Sequence, residues 1–107
     1  MEGHVASSEL PPAVDRAVRT VGEHLRSWRR LRQLTIAEVA DRAGIGTSTV
    51  ARLENGDGAS LENVLRVARA LGVLDSLVAA ADPYATDIGR MRADDILPLR
   101  VRHRRSP

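Results

Sequence analysis

The chain has 107 residues, enough for one small domain that buries about 65% of its unfolded surface. Its 16 basic residues are all arginine and stand against 14 acidic ones, so the net charge of +2 and the pI near 10.3 rest on guanidinium groups that stay protonated. No cysteine is present, no apolar run is long enough to span a bilayer, and the N-terminus lacks the charged-then-apolar order of a signal peptide, so a disulfide framework and membrane insertion are excluded and a cytoplasmic location is expected.

Met1 to Leu10 is small and polar without periodicity, and residues 1–11 are expected to be disordered. Pro11-Pro12 suits the first turn of a helix, and Val14, Val18, Val21, Leu25 and Trp28 recur at alternating four and three spacing, an apolar stripe that places Trp28 in the core. Gly22, at about 1 kcal/mol relative to alanine inside a helix, leaves open whether this is one helix or two pieces hinged near Thr20. Arg16, Arg19, Arg26, Arg29, Arg30 and Arg32 gather on the same stretch, and Arg26, Arg30 and Arg32 are placed to meet phosphate.

Thr35 followed three residues later by Glu38 predicts a capping box and the start of a second helix. Val39, Ala40 and Ala43 share its inner face, and Gly44 closes it in the left-handed conformation with Ile45 folding back as an apolar plug. Gly46 or Thr47 caps a third helix, with Val50 and Leu53 inward and Gly56 ending it. Two short helices joined by a tight glycine turn, with small Ala40 at their crossing, are the layout of a helix-turn-helix, which points to double-stranded DNA as partner. Thr47, Ser48, Ala51, Arg52 and Asn55 face outward, and Arg52 is the best candidate for a base contact.

Asn55 to Gly58 reads as a loop, and Ser60 caps a helix whose inner face is predicted to hold Leu61, Val64, Leu65, Ala68 and Leu71 before Gly72 stops it. Val73 to Ala81 is a short apolar helix, and Asp82-Pro83 marks the boundary between a domain of residues 12–82 and a tail of residues 83–107, acidic first and arginine-rich last. His4, His24 and His103 have no ligand-like spacing, so no metal is expected. Neither a phosphate-binding glycine loop nor a nucleophile, base and acid set is visible, so no catalytic residue, no cofactor and no enzyme activity are expected.

The run LTIAEVADRAGIGTSTVARLENG, Leu34 to Gly56, resembles the DNA-binding core of Xre-type, lambda-repressor-like transcription regulators, and the likeness extends from about Val21 to Leu77. The resemblance implies an all-α fold of four to five helices with a preceding N-terminal helix and a flexible C-terminal tail. It gives a DNA-contact role to Gly46, Thr47, Ser48, Thr49, Arg52 and Asn55, with Thr35 and Arg30 beside them, and implies a structural salt bridge between Arg29 and Glu54. One position departs from the family: where a glutamine usually follows the capping residue and contacts the DNA backbone, this chain has Ile36.

A compact domain of this type followed by such a tail resembles HipB-like antitoxins, which repress their own operon and bind a HipA-type kinase. In that group a short strand from each chain often joins a homodimer, and Leu99 to Arg102 is placed to form one. The expectation is a sequence-specific repressor acting as a homodimer. The alternative is a protein-interaction module that keeps the fold but binds DNA only weakly and nonspecifically, a reading that Ile36 supports.

Overall fold

A computed structural model describes residues 9–93, 95 and 96. These residues are helical wherever they are regular: α1 is Pro12–Leu31, α2 Ile36–Ala43, α3 Thr47–Glu54, α4 Leu61–Leu71 and α5 Leu74–Ala80. The strand expected at Leu99 to Arg102 lies outside the described residues, as does most of the N-terminal stretch expected to be disordered. The chain divides into two compact units, Met1–Leu74 and Asp75–Pro107. In the second, α5 is followed by a 3-10 turn at Pro83–Ala85 that Asp82 caps through the Tyr84 amide, and then by helical residues 87–93, 95 and 96. That last helix has no counterpart among the sequence predictions.

The core of the first unit is built where α1 and α2 each pack on α3 and α4. Val39, Val50, Val67 and Leu71 are its largest wholly enclosed side chains, joined by Leu25, Ala40, Ala43, Leu53, Ala68 and Val73. Small side chains at Ala40 and Ala43 let short helices cross closely, and each buried valine or leucine contributes about 1.5–3 kcal/mol relative to exposure.

Gly22 is not a hinge. α1 runs unbroken through it, and its bare Cα faces the end of α3, where an added Cβ would run into the Leu53 carbonyl oxygen and lie 3.1 Å from that of Glu54. The glycine is there because two backbones meet. The same crossing corrects the place of Trp28: the buried face of α1 is centred on Gly22 and Leu25, which leaves Trp28 to one side, 39% exposed, with the Arg32 guanidinium 5.2 Å above its ring. Leu61 is likewise outside rather than in the core. α4 is turned so that Val67 joins Ala68 and Leu71 inside, and Leu61 stays 73% exposed on the flank with Leu65 half-buried.

Candidate nucleic-acid interface

The helix pair at residues 35–56 is assembled from local signals. The Thr35 hydroxyl accepts the Glu38 amide at 3.0 Å while the Glu38 carboxylate accepts the Thr35 amide at 2.8 Å, so both groups of the capping box are engaged. Those hydrogen bonds, first among them the one from the Thr35 backbone, hold the Glu38 carboxyl below its ordinary value. At the other end of α2, Gly44 at φ 72° lets its own amide donate to Asp41 at 3.2 Å and that of Ile45 reach back to Ala40 at 3.0 Å. The turn to α3 is thereby closed with almost no intervening chain.

α3 begins at Gly46 with no side chain capping its first amides. Val50, Leu53 and Glu54 are buried, whereas Thr47, Ser48, Arg52 and Asn55 are exposed, with Thr49 and Ala51 between. A face of two hydroxyls, a guanidinium and an amide, beside a helix N-terminus with free N–H groups, has the donors and acceptors that base edges and phosphates require. Arg52 takes part in none of the ion pairs among the described residues. Gly46 is exposed at the start of the helix, Ile36 is half-buried at the start of α2, and Arg30 is exposed near the end of α1.

Behind this face Glu54 accepts both arms of Arg29, Nε at 2.7 Å and Nη2 at 3.0 Å, and the remaining Nη1 donates to the Leu34 carbonyl at 3.0 Å. Both side chains are nearly enclosed, at 13% and 6% exposure, and the hydrogen bonds to Glu54 raise the Arg29 pKa above its already high value. One guanidinium thus fixes the end of α1, the turn into α2 and the last turn of α3. The pair positions the outward face and does not itself reach it.

Two further arginines close helix ends across the unit. Arg66 of α4 donates from Nη1 to the Ala43 carbonyl at 3.2 Å, and Arg32 donates from Nε to the Leu71 carbonyl at 3.0 Å. Arg32, read from the sequence as a phosphate ligand, is therefore already committed to the C-terminus of α4 and to Trp28. Neither contact carries a signal in local spacing, since each joins residues more than 20 positions apart. Among the described residues there is no group of three or more His, Asp or Glu side chains placed to hold a metal ion. No described helix is long and apolar enough to cross a membrane.

Residues 25–75 match the family model described as helix-turn-helix, a span that covers the last turns of α1 and the whole of α2, α3 and α4. No curated protein and no solved structure is similar enough to this chain to match it.

Proposed function

We propose that this chain, which over residues 25–75 is a helix-turn-helix protein of the Xre type and so a DNA-binding regulator, is a sequence-specific, autoregulatory repressor that acts as a homodimer. The observation that carries the reading is the outward face of α3: Thr47, Ser48, Arg52 and Asn55 are exposed on a helix whose inner face is locked by Val50, Leu53 and the Arg29–Glu54 pair. Arg52 reads a base edge, and Thr47, Ser48, Thr49 and Asn55 supply shorter contacts to bases and phosphates. Gly46 lets the backbone come close to a phosphate, and Thr35 and Arg30 hold the flanking backbone. Ile36 contributes an apolar contact in place of the amide usual in the family. One such helix reads only a few base pairs, so two copies on half-sites about one helical turn, ~34 Å, apart supply the remaining affinity. The likeness of the tail to HipB-like antitoxins has no support among the described residues, and a kinase partner forms no part of the proposal.

The test compares binding to the chain's own upstream DNA with binding to a scrambled duplex at two salt concentrations. A preference of ~10³ or more that survives physiological salt is the expected result. Arg52→Ala should remove about 1–3 kcal/mol from the specific complex only, and Arg30→Ala should weaken all DNA binding and flatten its salt dependence. Equal, salt-erased binding to both duplexes would overturn the repressor and favour the interaction module.

A further inference from the structure

The exposed arginines of α1 share one flank. Arg16, Arg19, Arg26 and Arg30 recur at helical spacing along one side, next to the inward line of Val18, Gly22, Leu25 and Arg29. Arg16 and Arg19 lie outside the span that matches the helix-turn-helix family. α3 and α4 approach α1 from opposite sides of the inward line. On one side Val14 and Val21 face Val64 of α4 across an apolar groove, and Arg32 donates to the Leu71 carbonyl at 3.0 Å, so α4 runs along this flank. On the other side Gly56, just past the end of α3, is pressed against Arg19: a Cβ there would lie 2.8 Å from Cγ of Arg19 and 3.2 Å from its Cα. The arginine flank therefore opens on the same side of the unit as the outward face of α3.

Gly22 marks where α1 crosses the end of α3, and it divides the flank. Arg26 and Arg30 lie on the side of the crossing toward Thr35, and Arg16 and Arg19 on the other. At about 1.5 Å per residue, the midpoints of the two pairs are about 16 Å apart along the helix. The major groove of B-DNA is about 12 Å wide between its phosphate walls. With α3 in the groove, α1 lies across it and each pair reaches one wall. Glu23, an exposed acid of this flank, falls between the pairs, above the groove and away from either wall.

We propose that Arg16 and Arg19 form a second phosphate site, on the strand opposite the one met by Arg30 and Thr35, so that α1 bridges both backbones of the groove that α3 reads. The planar guanidinium fork suits phosphate oxygens. Arg16 takes part in none of the ion pairs among the described residues. Arg19 pairs with Asp15 at 2.8 Å, but the two side chains are 66% and 31% exposed, and a surface pair of this kind yields to phosphate at little cost. The inference rests on the DNA-binding role in the proposed function and not on operator preference, because a phosphate carries no sequence information.

The experiment follows the salt dependence of binding by the full-length chain and by Arg16→Gln with Arg19→Gln, on the upstream duplex and on the scrambled one. Glutamine keeps the Cβ and Cγ that rest against Gly56, so the substitution removes the charge and not the packing. Each lost phosphate contact lowers the slope of log K against log salt by about 0.9, so the parent's advantage over the double variant should shrink ~10-fold between about 50 mM and about 200 mM salt, equally on both duplexes. Arg69→Gln, which removes an exposed charge from α4, should leave the slope unchanged. Asp15→Asn separates a phosphate contact from a merely structural ion pair. It should tighten DNA binding by releasing Arg19, whereas a structural role requires it to weaken binding as the Arg19 substitution does. A slope unchanged by the double substitution, an equal change from Arg69→Gln, or weaker binding by Asp15→Asn would each overturn the proposal and leave operator reading intact. A parent chain without preference for its upstream duplex, whose salt dependence the double substitution still flattens, would instead overturn the repressor and leave this site standing.

Discussion

At the scale of single residues, arginine and its acceptors organise the molecule. Arg29, Arg32 and Arg66 each donate to a main-chain carbonyl at or just beyond a helix end, so guanidinium groups meet partial negative charge that water would otherwise satisfy. Arg52 and Arg30 stay exposed. Glu38 shows how one carboxyl links charge to folding. Its two hydrogen bonds with Thr35 lower its pKa from the ordinary value of 4.5, so the folded chain binds that proton less tightly than the unfolded chain. The resulting stabilisation is complete above the ordinary value and fades as pH falls through the lowered one. Glu38→Ala should therefore depress the melting temperature at neutral pH and progressively less below about pH 4, as followed by circular dichroism; a difference that stayed constant across this range would remove the carboxylate from the account.

At the scale of elements, the helix ends repeat one device. Gly44, Gly56 and Gly72 adopt positive φ after α2, α3 and α4, and Gln33 does the same after α1 at φ 58°. In each case the next amide reaches back to a carbonyl of the last turn, as Leu34 does to Arg29 at 3.0 Å and Val73 to Ala68 at 2.9 Å. The glycine stops were legible in the sequence because glycine alone takes this conformation without cost; the stop at Gln33 was not, because nothing in a glutamine announces it. Gly22 reverses the logic of helix propensity. By propensity alone, Gly22→Ala should stabilise α1 by about 1 kcal/mol, but its methyl group would meet the Leu53 carbonyl, a backbone atom that cannot turn aside. The expected outcome is a net loss of about 1–3 kcal/mol in urea unfolding, and a gain would show that α1 and α3 can separate at no cost.

At the scale of the whole first unit, the Arg29–Glu54 pair ties the first helix to the third. α1 carries exposed apolar side chains at Val14, Val21, Trp28 and Leu31, α3 carries the outward polar face, and the bidentate pair holds one helix to the other beneath the glycine crossing. Removing one partner strands a nearly enclosed charge. Glu54→Gln should cost about 3 kcal/mol and weaken specific DNA binding through misplacement of α3, and replacing both partners by apolar residues, Arg29→Met with Glu54→Leu, should restore most of the stability. Equal losses in the single and double variants would show that packing at these positions, not charge, sets their contribution.

What the sequence determined by itself was whatever depends on neighbours in the chain. The capping box at Thr35, the Gly44 turn, the buried Val39, Ala40, Val50 and Leu53, and the helix-turn-helix order all follow from spacings of a few residues, and so did the family. What only the tertiary structure decided was the use of each helix face where two stripes compete. α1 has one apolar line through Val18 and Leu25 and another through Val14, Val21 and Trp28, and periodicity gives both the same weight. Contact with α3 at Gly22 turned the first line inward and left Trp28 at the edge, just as the packing of α4 took in Val67 and left Leu61 outside. The physical reason is that a helix repeats every 3.6 residues wherever it lies, so its own sequence records that it has an apolar side, while the rotation that buries one side and opens another is set by the backbone it leans against.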